Sequence, residues 1–540
     1  MSNKSDSISL QIQWSRLISI MDEVDVALVR TSFSTIVGET RDFAVILLDV
    51  KAHSIAQSQL SSPGFTCSLP SATRIILEQF PIDSLFIGDV LITNDPWICH
   101  GHLPDMIVVK PIYFQGKVSA FMAAAAHVSD IGGRLDEFDA RDVYEEGLRI
   151  PPSKLFERGQ KNKQLYDIIE ANTRYPRMVI GDIEAIVGAF KIGEIRFNEF
   201  IEDYSIKIFN NLSKDILSRS EKAMQKAIQK IPNGIYDCTV YADGYKKLTK
   251  IVSSVSVKDD SINVDYTGSS NQRPDASINC VLNNTLAHTI YPLKCSLVPF
   301  VPNNEGLFRP INITVPEGSI LNTIFPAPVK ARSKTSYHIH NAIYGALSKV
   351  LPNVVQAGSG SFWSVKCYGK EQDGTTYAVH MLPNGGKGAV IGKDGLSTIA
   401  FPANGTITPT EILENGSPLL IIERSLRNDS GGAGKNRGGL GQTIRLTCKF
   451  DYSTWLTIRP DKMIFPAPGL AGGQPGKVGE LTINNKPLVL EPFKLSSDQV
   501  VTMKLPGGGG IGKPKDRDRK MLSRDLEMNY ITKESKKYYL

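Results

Sequence analysis

Two short copies of one pattern, a histidine followed three residues later by an aspartate, lie close together in the first quarter of the chain. They are His102-Leu103-Pro104-Asp105 and His127-Val128-Ser129-Asp130. The chain has 8 histidines among 540 residues, and a third one, His100, falls in the same segment. Imidazole and carboxylate are the ligands that borderline divalent metals such as Zn²⁺, Mn²⁺ and Fe²⁺ accept. The segment therefore predicts a metal-assisted reaction.

Each copy taken alone also has a structural interpretation, because a histidine bonded to a nearby carboxylate is a common way to satisfy a partly buried ring. Turn-forming residues flank the copies, with Asn94-Asp95-Pro96 upstream and Gly132-Gly133 downstream. Such turns place polar side chains at the ends of strands. Clustered His and Asp in that setting favour a metal or catalytic site over the structural interpretation.

The elements that must position these side chains are a helix and several strands. Apolar residues from Leu10 to Leu28 recur at steps of three and four, which predicts an amphipathic helix that ends near Gly38. Residues 43–50 read as a buried strand with Asp42 at its entry. Further strands are predicted over 90–93, 106–113 and 118–126, so the two copies lie in or beside their connections.

The rest of the chain indicates an α+β protein of several domains. Residues 170–208 are helix-rich, short β-rich runs follow from Gly234, and a second helix is expected over 336–351. After Gly358 a β-rich sequence pattern resumes around Val390, Ile391, Ile399 and Phe401, with glycine and proline in nearly every segment. We expect an N-terminal α/β region with the metal site, a middle α+β region, a β-rich C-terminal region and a basic tail. Their predicted bounds are 1–232, 233–357, 358–512 and 513–540.

Composition excludes several classes of protein. The formal net charge is +6, from 61 basic and 55 acidic residues, and +4 of it lies in residues 513–540, so the body is nearly neutral. That balance argues against a nucleic-acid partner. No apolar run reaches the length of about 18 residues that a membrane span needs. The 7 cysteines are scattered and form no Cys-x-x-Cys pair, which indicates a reducing cytoplasm and argues against a thiolate zinc site.

Two glycine-rich segments resemble nucleotide-binding loops. Residues 507–513 match the P-loop pattern as far as Lys513, but Pro514 replaces the hydroxyl residue that would hold Mg²⁺. Residues 429–439 carry Lys435 and Arg437 among glycines, an arrangement that can cradle an anion. For both segments we favour a structural interpretation, in which one stretch of backbone passes close to another.

A series of motifs resembles the successive signatures of the hydantoinase B/oxoprolinase family and spans nearly the whole chain. The matching segments are Asn94-Asp95-Pro96, His102-Leu103-Pro104-Asp105, Ala126-His127, Asp130-Ile131-Gly132-Gly133, Glu146 to Pro152, Gly181-Asp182 with Gly193, Leu293-Lys294-Cys295, Pro326 to Arg332, Asp429 to Gly434 and Pro506 to Gly510.

The resemblance implies a cytoplasmic B-type subunit that works in a hetero-oligomer with a larger hydantoinase A-type partner, which carries the ATP site. Together the two would open cyclic amides such as hydantoin, N-methylhydantoin or 5-oxoproline, with ATP hydrolysis driving the step. An alternative within the same resemblance is a subunit of an ATP-dependent ketone carboxylase of the acetone type. A non-catalytic scaffold for the partner is a third possibility.

The resemblance also implies a divalent metal, Zn, Mn or Fe, in this subunit. Its ligands would fall on Asp42, His102 and His127, with Asp105 a further candidate. Three ligands from separate loops leave open positions for water or substrate, as catalytic sites require.

Other polar residues would support this centre. Asp105 or Glu39 is the expected general base, and Asp95 and Asp130 are expected to orient the imidazoles from behind. Two departures from the family pattern concern Cys99-His100-Gly101 and Val128. We therefore interpret His100 as exposed or structural and leave the identity of the metal open.

Overall fold

The structure is a computed structural model that describes residues 7–135, 138–370, 374, 376–399, 401–449, 453–488 and 490–540. A seven-stranded antiparallel sheet dominates the N-terminal part. Its strands are β1 (Phe43–Asp49), β2 (Ser54–Gln57), β3 (Val90–Thr93), β4 (Asp105–Phe114), β5 (Lys117–His127), β6 (Ser153–Glu157) and β7 (Gln160–Lys161). Their order across the sheet is β2-β1-β5-β4-β3-β6-β7, so β1, β5 and β4 are neighbours near its centre.

Helices cover both faces of this sheet. They are α1 (Ser7–Thr31), α2 (Thr35–Gly38), α3 (Pro63–Gln79), α4 (Lys163–Asn172), α5 (Pro176–Tyr204) and α6 (Ile206–Ile228). Successive side chains of a strand point to opposite faces. Phe43, Val45 and Leu47 therefore pack in the core that includes α1 and α5, and the residues between them pack with α3. Both faces are buried, which explains why β1 and β5 are apolar almost throughout.

The middle of the chain forms a smaller sheet with two main helices. Its strands β8 (Gly234–Tyr245), β9 (Lys247–Lys258), β10 (Ser261–Asp265) and β11 (Ile311–Thr314) lie in the order β11-β10-β9-β8. The helices are α7 (Leu282–Leu297), α8 (Ser333–Ser336) and α9 (Ile339–Leu347). Helix α7 packs against α3 and α9, which brings the middle region against the N-terminal one.

The C-terminal part contains two further sheets and two helices. One sheet has the order β13-β12-β16-β19 and the other β14-β15-β20-β17-β18. The strands are β12 (Ser364–Lys370), β13 (Thr376–Met381), β14 (Leu419–Leu426), β15 (Gln442–Cys448), β16 (Ser453–Arg459), β17 (Glu480–Ile483), β18 (Lys486–Pro487), β19 (Phe493–Lys494) and β20 (Val501–Lys504). The helices are α10 (Thr410–Asn415) and α11 (Arg519–Glu527). Short 3₁₀ helices span Ile82–Ser84, Val143–Glu146, Glu305–Leu307, Pro514–Asp516 and Ser535–Tyr539.

The α+β fold class is confirmed, as are the strands around the two His-Asp copies. The first amphipathic helix is present, but it ends at Thr31 and not near Gly38, because a separate short helix, α2, covers Thr35–Gly38. Two further predictions were wrong in detail. The helix expected over 336–351 is shorter, because α9 runs only from Ile339 to Leu347 after the separate turn of α8. In the described part of 390–401, Val390 makes only isolated bridges, and no strand forms. Glycine and proline residues in this segment interrupt the backbone hydrogen bonds that a strand needs.

The glycine-rich segments pack backbone against backbone, which confirms their structural interpretation. The amide of Gly432 donates to the carbonyl of Gly508 at 2.8 Å, and the amide of Gly508 donates to the carbonyl of Gly439 at 2.9 Å. A Cβ atom added at Gly438 would lie 1.9 Å from the carbonyl oxygen of Gly508. Only glycine allows this approach. The amides that a nucleotide phosphate would need are thus already bonded within the protein.

The predicted basic tail is folded. The Arg517 guanidinium bonds the carboxylates of Asp394 and Asp525 at 2.7 and 2.6 Å, and Tyr539 near the end of the chain is buried. In the described residues no helix combines the length and the apolar character that crossing a membrane requires.

Replacing Gly386 with alanine is expected to lower the free energy of unfolding by about 2 kcal/mol or more. The new Cβ would lie 1.8 Å from the carbonyl oxygen of Gly439, so two backbone segments would have to separate. Urea denaturation measures the change.

The matched control is Gly188→Ala in α5, where an added Cβ meets nothing within 4 Å. It is expected to raise the free energy of unfolding by up to about 1 kcal/mol, since alanine favours the helix. Equal stability of Gly386→Ala and the wild type would contradict the tight packing.

Candidate metal centre

His102, Asp105 and His127 meet at one end of the seven-stranded sheet. Asp105 begins β4 and His127 ends β5, and the strand register pairs these two residues directly. On the other side of β5, Phe43 pairs with Ala126, and the His127 amide donates to the carbonyl of Asp42 at 3.0 Å. The sheet therefore brings Asp42, His127 and Asp105 together on three adjacent strands. The sequence prediction that the polar residues sit at strand ends is confirmed.

The loop that carries His102 is held by Asn94, just beyond β3. The Asn94 amide donates to the carbonyls of Leu103 and Leu148 at 2.7 and 2.9 Å. Its side-chain oxygen accepts the Ile150 amide at 2.6 Å. The asparagine of the Asn-Asp-Pro motif thus fixes the backbone next to His102, and does so while fully buried.

Three potential ligand atoms form a compact triangle. Nε2 of His102 lies 2.7 Å from Oδ1 of Asp105 and 3.1 Å from Nδ1 of His127, and the His127 nitrogen lies 3.2 Å from the same oxygen. Around a metal with bonds of about 2.1 Å, ligands at right angles are about 3.0 Å apart. Among the described residues, this is the one group of three or more His, Cys, Asp or Glu side chains close enough to hold an ion.

The hydrogen bonds of His102 show why a cation fits. Its Nδ1 lies 2.9 Å from the carbonyl oxygen of Lys330, which can only accept, so Nδ1 carries the proton. Burial lowers the pKa of His102 from 6.5 to about 3, so the ring is neutral. Its Nε2 then has a bare lone pair that faces a carboxylate oxygen. Two lone pairs at 2.7 Å repel unless a cation lies between them, and a bound metal ion would remove the repulsion.

Asp105 is ionised despite complete burial. Burial alone would raise its pKa, but the charge of the Arg332 guanidinium opposes this effect, and the pKa lies well below the usual range. Arg332 donates from Nη2 to Oδ2 of Asp105 at 2.6 Å and from Nε to the carbonyl of His100 at 2.8 Å. The arginine thus occupies one carboxylate oxygen and leaves the other, Oδ1, for the triangle.

Asp42 lines the same cavity but does not belong to the close triangle. Burial raises the pKa of its carboxyl group, and the charge of Asp105 adds to that effect, whereas His127 and Arg332 oppose it. A carboxyl group with a raised pKa is a better proton acceptor near neutral pH than an ordinary aspartate. The pKa of Asp42 is thus raised, whereas that of Asp105 is lowered.

Three other residues predicted for the site lie away from it. Glu39 caps the C-terminal end of α2, and its carbonyl accepts from the Thr406 hydroxyl. Asp95 accepts the Trp97 amide at 3.0 Å, and Asp130 binds the Arg174 guanidinium at 2.9 Å. The contacts that orient His102 come instead from the Lys330 carbonyl and Asp105.

A cavity opens on the triangle. It is lined by residues from distant parts of the chain that sequence reasoning missed, among them Asn284 and His288 on α7, Arg332 before α8, His380 on β13 and Arg459 on β16. His100, predicted to be exposed or structural, is buried and lines this cavity. Asn284 and His288 are four residues apart on one helix and so share a face of it, and that spacing of two polar residues was the available signal.

A second cavity lies next to the first and shares His380 with it. Arg134, Arg174, Lys330 and Lys366 contribute to its lining. Two of these cations pair with carboxylates, Arg134 with Asp139 and Glu145 and Arg174 with Asp130.

The rings of His100 and His288, which line the first cavity, form a chain of contacts with the ring of His340. The rings of His100 and His288 are 5.7 Å apart, and those of His288 and His340 are 5.1 Å apart. Burial lowers the pKa of all three, that of His340 to about 3. The three rings are thus neutral in the folded protein.

The comparisons with known proteins agree on one family. The sequence profile described as Hydantoinase B/oxoprolinase matches residues 6–514. A protein of Pseudomonas sp. (strain NS671), named as the B-type subunit of a D-/L-hydantoinase, is 33% identical over 560 residues, which cover 98% of this chain and 94% of that protein.

Two solved structures share the fold. The ATP-dependent caprolactamase from Pseudomonas jessenii superposes with a TM-score of 0.85 at 26% identity, covering 99% of this chain and 96% of that one. A nucleotide-free acetone carboxylase superposes with a TM-score of 0.88 at 17% identity, covering 99% of this chain and 80% of that one. The second likeness shows a common fold only.

The buried imidazoles predict a stability that falls with acid. A depressed pKa means that the unfolded chain binds protons below pH 6.5 that the folded chain does not, so stability is lost as pH falls from 6.5 towards 3. His340→Phe is expected to flatten this loss by up to about 1.4 kcal/mol per pH unit. Phenylalanine suits the site because Tyr291, His288 and Phe401 surround it.

The measurement is the free energy of unfolding in urea at several pH values between about 7 and 4. An identical slope for His340→Phe and the wild type would show that His340 is already protonated when folded.

Proposed function

We propose that this chain, which belongs to the hydantoinase B/oxoprolinase family, acts as the B-type subunit of an ATP-dependent cyclic amide hydrolase. Membership confirms the resemblance read from the motifs. The substrates in this proposal are hydantoin, N-methylhydantoin or 5-oxoproline, and an A-type partner subunit handles ATP. The observation that carries the proposal is the buried triangle of His102, Asp105 and His127, which lies beside a cavity.

We assign the metal to this triangle. Two imidazoles and one carboxylate suit Zn²⁺, Mn²⁺ or Fe²⁺. When bound, such an ion would supply Lewis-acid stabilisation of negative charge on oxygen. Asp105 serves as a ligand because the Arg332 guanidinium keeps it ionised. This assignment places Asp105, and not Asp42, with the two histidines.

Asp42 is then the candidate general base. It lines the cavity and its pKa is raised by burial, so it can take a proton from a nucleophilic water near neutral pH. The roles expected from the resemblance for Asp42 and Asp105 are thereby exchanged. Glu39 drops out as a base, since it does not line the cavity.

An amide carbonyl is a poor electrophile because resonance delocalises the nitrogen lone pair, so opening a stable ring needs activation. Phosphorylation of the carbonyl oxygen by the A-type partner would supply it. Two features support this division of labour. The glycine-rich segments of this chain are filled by their own backbone contacts, and the cationic side chains that line the cavity beside His380 suit a phosphorylated, anionic intermediate.

The proposed assembly is a cytoplasmic hetero-oligomer. The relative from Pseudomonas is named as a subunit, and this chain covers 94% of it, which supports an equivalent position for this chain beside a partner. All 7 cysteines are free thiols, as expected in a reducing cytoplasm.

A ketone carboxylase subunit of the acetone type is the second candidate. The common fold with acetone carboxylase favours it, but the chain covers only 80% of that protein, against 96% of the caprolactamase chain at higher identity. The higher sequence identity and the higher coverage of the lactam hydrolase favour ring opening. A purely structural role is disfavoured, because a scaffold would not need a buried carboxylate and two imidazoles whose potential ligand atoms converge.

The exchanged roles of the two aspartates can be separated by measuring metal content and activity on the same preparations. Asp105→Asn, His102→Ala and His127→Ala are expected to lose the bound metal, as measured by elemental analysis of purified protein. Asp42→Asn is expected to keep the metal while activity of the complex falls by about 10²-fold or more, since it removes the base.

Full metal content in both histidine variants would rule out the triangle as the metal site. If Asp42→Asn lost its metal while Asp105→Asn kept it, the ligand would be Asp42, and the roles would revert to those of the family resemblance.

The reaction class is tested by purifying the chain with its A-type partner and measuring ATP hydrolysis with hydantoin, 5-oxoproline, or acetone plus bicarbonate. We expect ATP turnover to depend on a cyclic amide and to yield the ring-opened acid. Formation of a carboxylated ketone would establish the ketone carboxylase. If none of the three substrates stimulated ATP turnover, both candidate functions would be contradicted for these substrates.

A further inference from the structure

A buried ion pair joins α1 to the residue that precedes Asp42. Asp25 on α1 is only 1% exposed, and its carboxylate binds the Arg41 guanidinium and accepts the Ser58 hydroxyl at 2.9 Å. Neither Asp25 nor Arg41 is among the described residues that line the first cavity. The pair therefore lies outside the proposed chemistry and can affect it only through a neighbouring residue.

Stability alone does not account for this pair. Withdrawing two charges from water costs about as much as their attraction returns, and apolar side chains of similar size can often replace a buried pair without loss of stability. Such a pair can instead select one conformation of the chain around it. The backbone at Arg41 has a conformation that needs selection of this kind.

Arg41 has backbone angles that most residues avoid. Its φ angle is +56°, in the left-handed region, where the Cβ atom comes too close to the backbone. Glycine takes this conformation freely, so an arginine here is unfavourable unless its side chain makes a compensating contact. The bond to the Asp25 carboxylate is that contact.

The turn that follows carries Asp42. The Phe43 amide donates to the Arg41 carbonyl at 2.9 Å, which closes a three-residue turn centred on Asp42. The Asp42 amide donates to the Ile36 carbonyl at 3.1 Å. Since β1 begins at the next residue, the backbone angles of Arg41 set the direction in which the Asp42 side chain points.

The two neighbouring side chains lie on opposite faces of the sheet. The guanidinium carbon of Arg41 lies 5.6 Å from the centre of the Phe43 ring, which packs in the core that includes α1. Asp42 lines the first cavity together with Gly64 and Phe65 of α3, on the other face. Anchoring Arg41 to α1 therefore directs Asp42 away from α1 and into the cavity.

We infer that the Asp25–Arg41 pair is a positioning device that holds the Asp42 carboxyl group in the cavity. This inference rests on the proposed function, in which Asp42 is the general base, and deepens it. A base acts only within hydrogen-bond reach of the water that it deprotonates, and a displacement of about 1 Å can lower turnover about 10²-fold. Asp25 and Arg41 thus act through Asp42 and touch neither substrate nor metal.

The test removes both charges at once, so that no buried charge is left without a partner. Asp25→Leu combined with Arg41→Met is expected to unfold at about the wild-type urea concentration and to keep its metal. The kcat of the complex with its A-type partner is expected to fall about tenfold or more while KM changes little. Arg41→Lys, which keeps a cation near Asp25, is expected to retain more activity than this double variant.

A second background separates positioning from a general structural defect. In an Asp42→Asn background the same double replacement is expected to cause no further loss of kcat, because no base remains to be displaced. The matched control is Arg16→Met with Asp203→Leu, which removes a surface ion pair of 2.7 Å between α1 and α5. This control is expected to keep the wild-type activity.

Wild-type kcat in the double variant, or an equal loss in the wild-type and Asp42→Asn backgrounds, would overturn the positioning role and leave the proposed function intact. If the double variant did not fold, Arg41→Gly would decide, since glycine tolerates the φ angle and removes only the anchor. Unchanged kcat in Arg41→Gly would have the same meaning.

A complex that turned over no cyclic amide would contradict the proposed function. A crystal structure of the double variant would still test the positioning role in that case. We expect the Asp42 carboxyl group to leave the cavity in that structure, and an unchanged position would show that the pair does not hold it.

Discussion

The structure of the site depends on one buried carboxylate. Asp105 begins a central strand, faces His127 across the strand register and receives Arg332 from the loop before α8. An ionised carboxylate without partners inside a protein is unfavourable by several kcal/mol. Because Arg332 is 227 residues away in the chain, satisfying this charge requires the middle region to pack against the end of the N-terminal sheet. The cavity is a consequence of that packing.

The sheet register explains why the polar residues are found where they are. β1, β5 and β4 are buried on both faces, so a shift of one residue would place apolar side chains on the wrong face. The same register that aligns the apolar residues also brings Asp42, His127 and Asp105 to one edge. The packing of the core therefore fixes the positions of the site residues. Asn94 and the Lys330 carbonyl supply the additional local contacts of the triangle.

Local patterns predicted the part of the site that lies near in sequence. The two His-Asp copies, the strands between them and the entry position of Asp42 could be found because strand alternation and turn residues are local signals. Arg332 could not, because it reaches Asp105 only when the middle region packs against the N-terminal one. The spacing of Asn284 and His288 indicates a shared helix face, but their place at the cavity follows from the packing of α7 against α3. The proposed exchange of roles between Asp42 and Asp105 was equally out of reach, since it depends on which carboxylate Arg332 bonds. The strands expected near Val390 failed for a different reason, because the glycines there pair backbone with backbone in extended segments outside any sheet.

Three imidazoles around the cavity and His102 of the candidate metal centre are neutral for the same physical reason. Burial disfavours the charged form of histidine, so His100, His288 and His340 add no positive charge near the triangle. Protonated rings at the same positions would repel a divalent ion and would offer only donors to a substrate. Because burial also keeps His102 neutral, its Nε2 lone pair is available to a metal. Desolvation of the cavity thus favours the proposed metal binding, and a change that admits water to this cluster would weaken it.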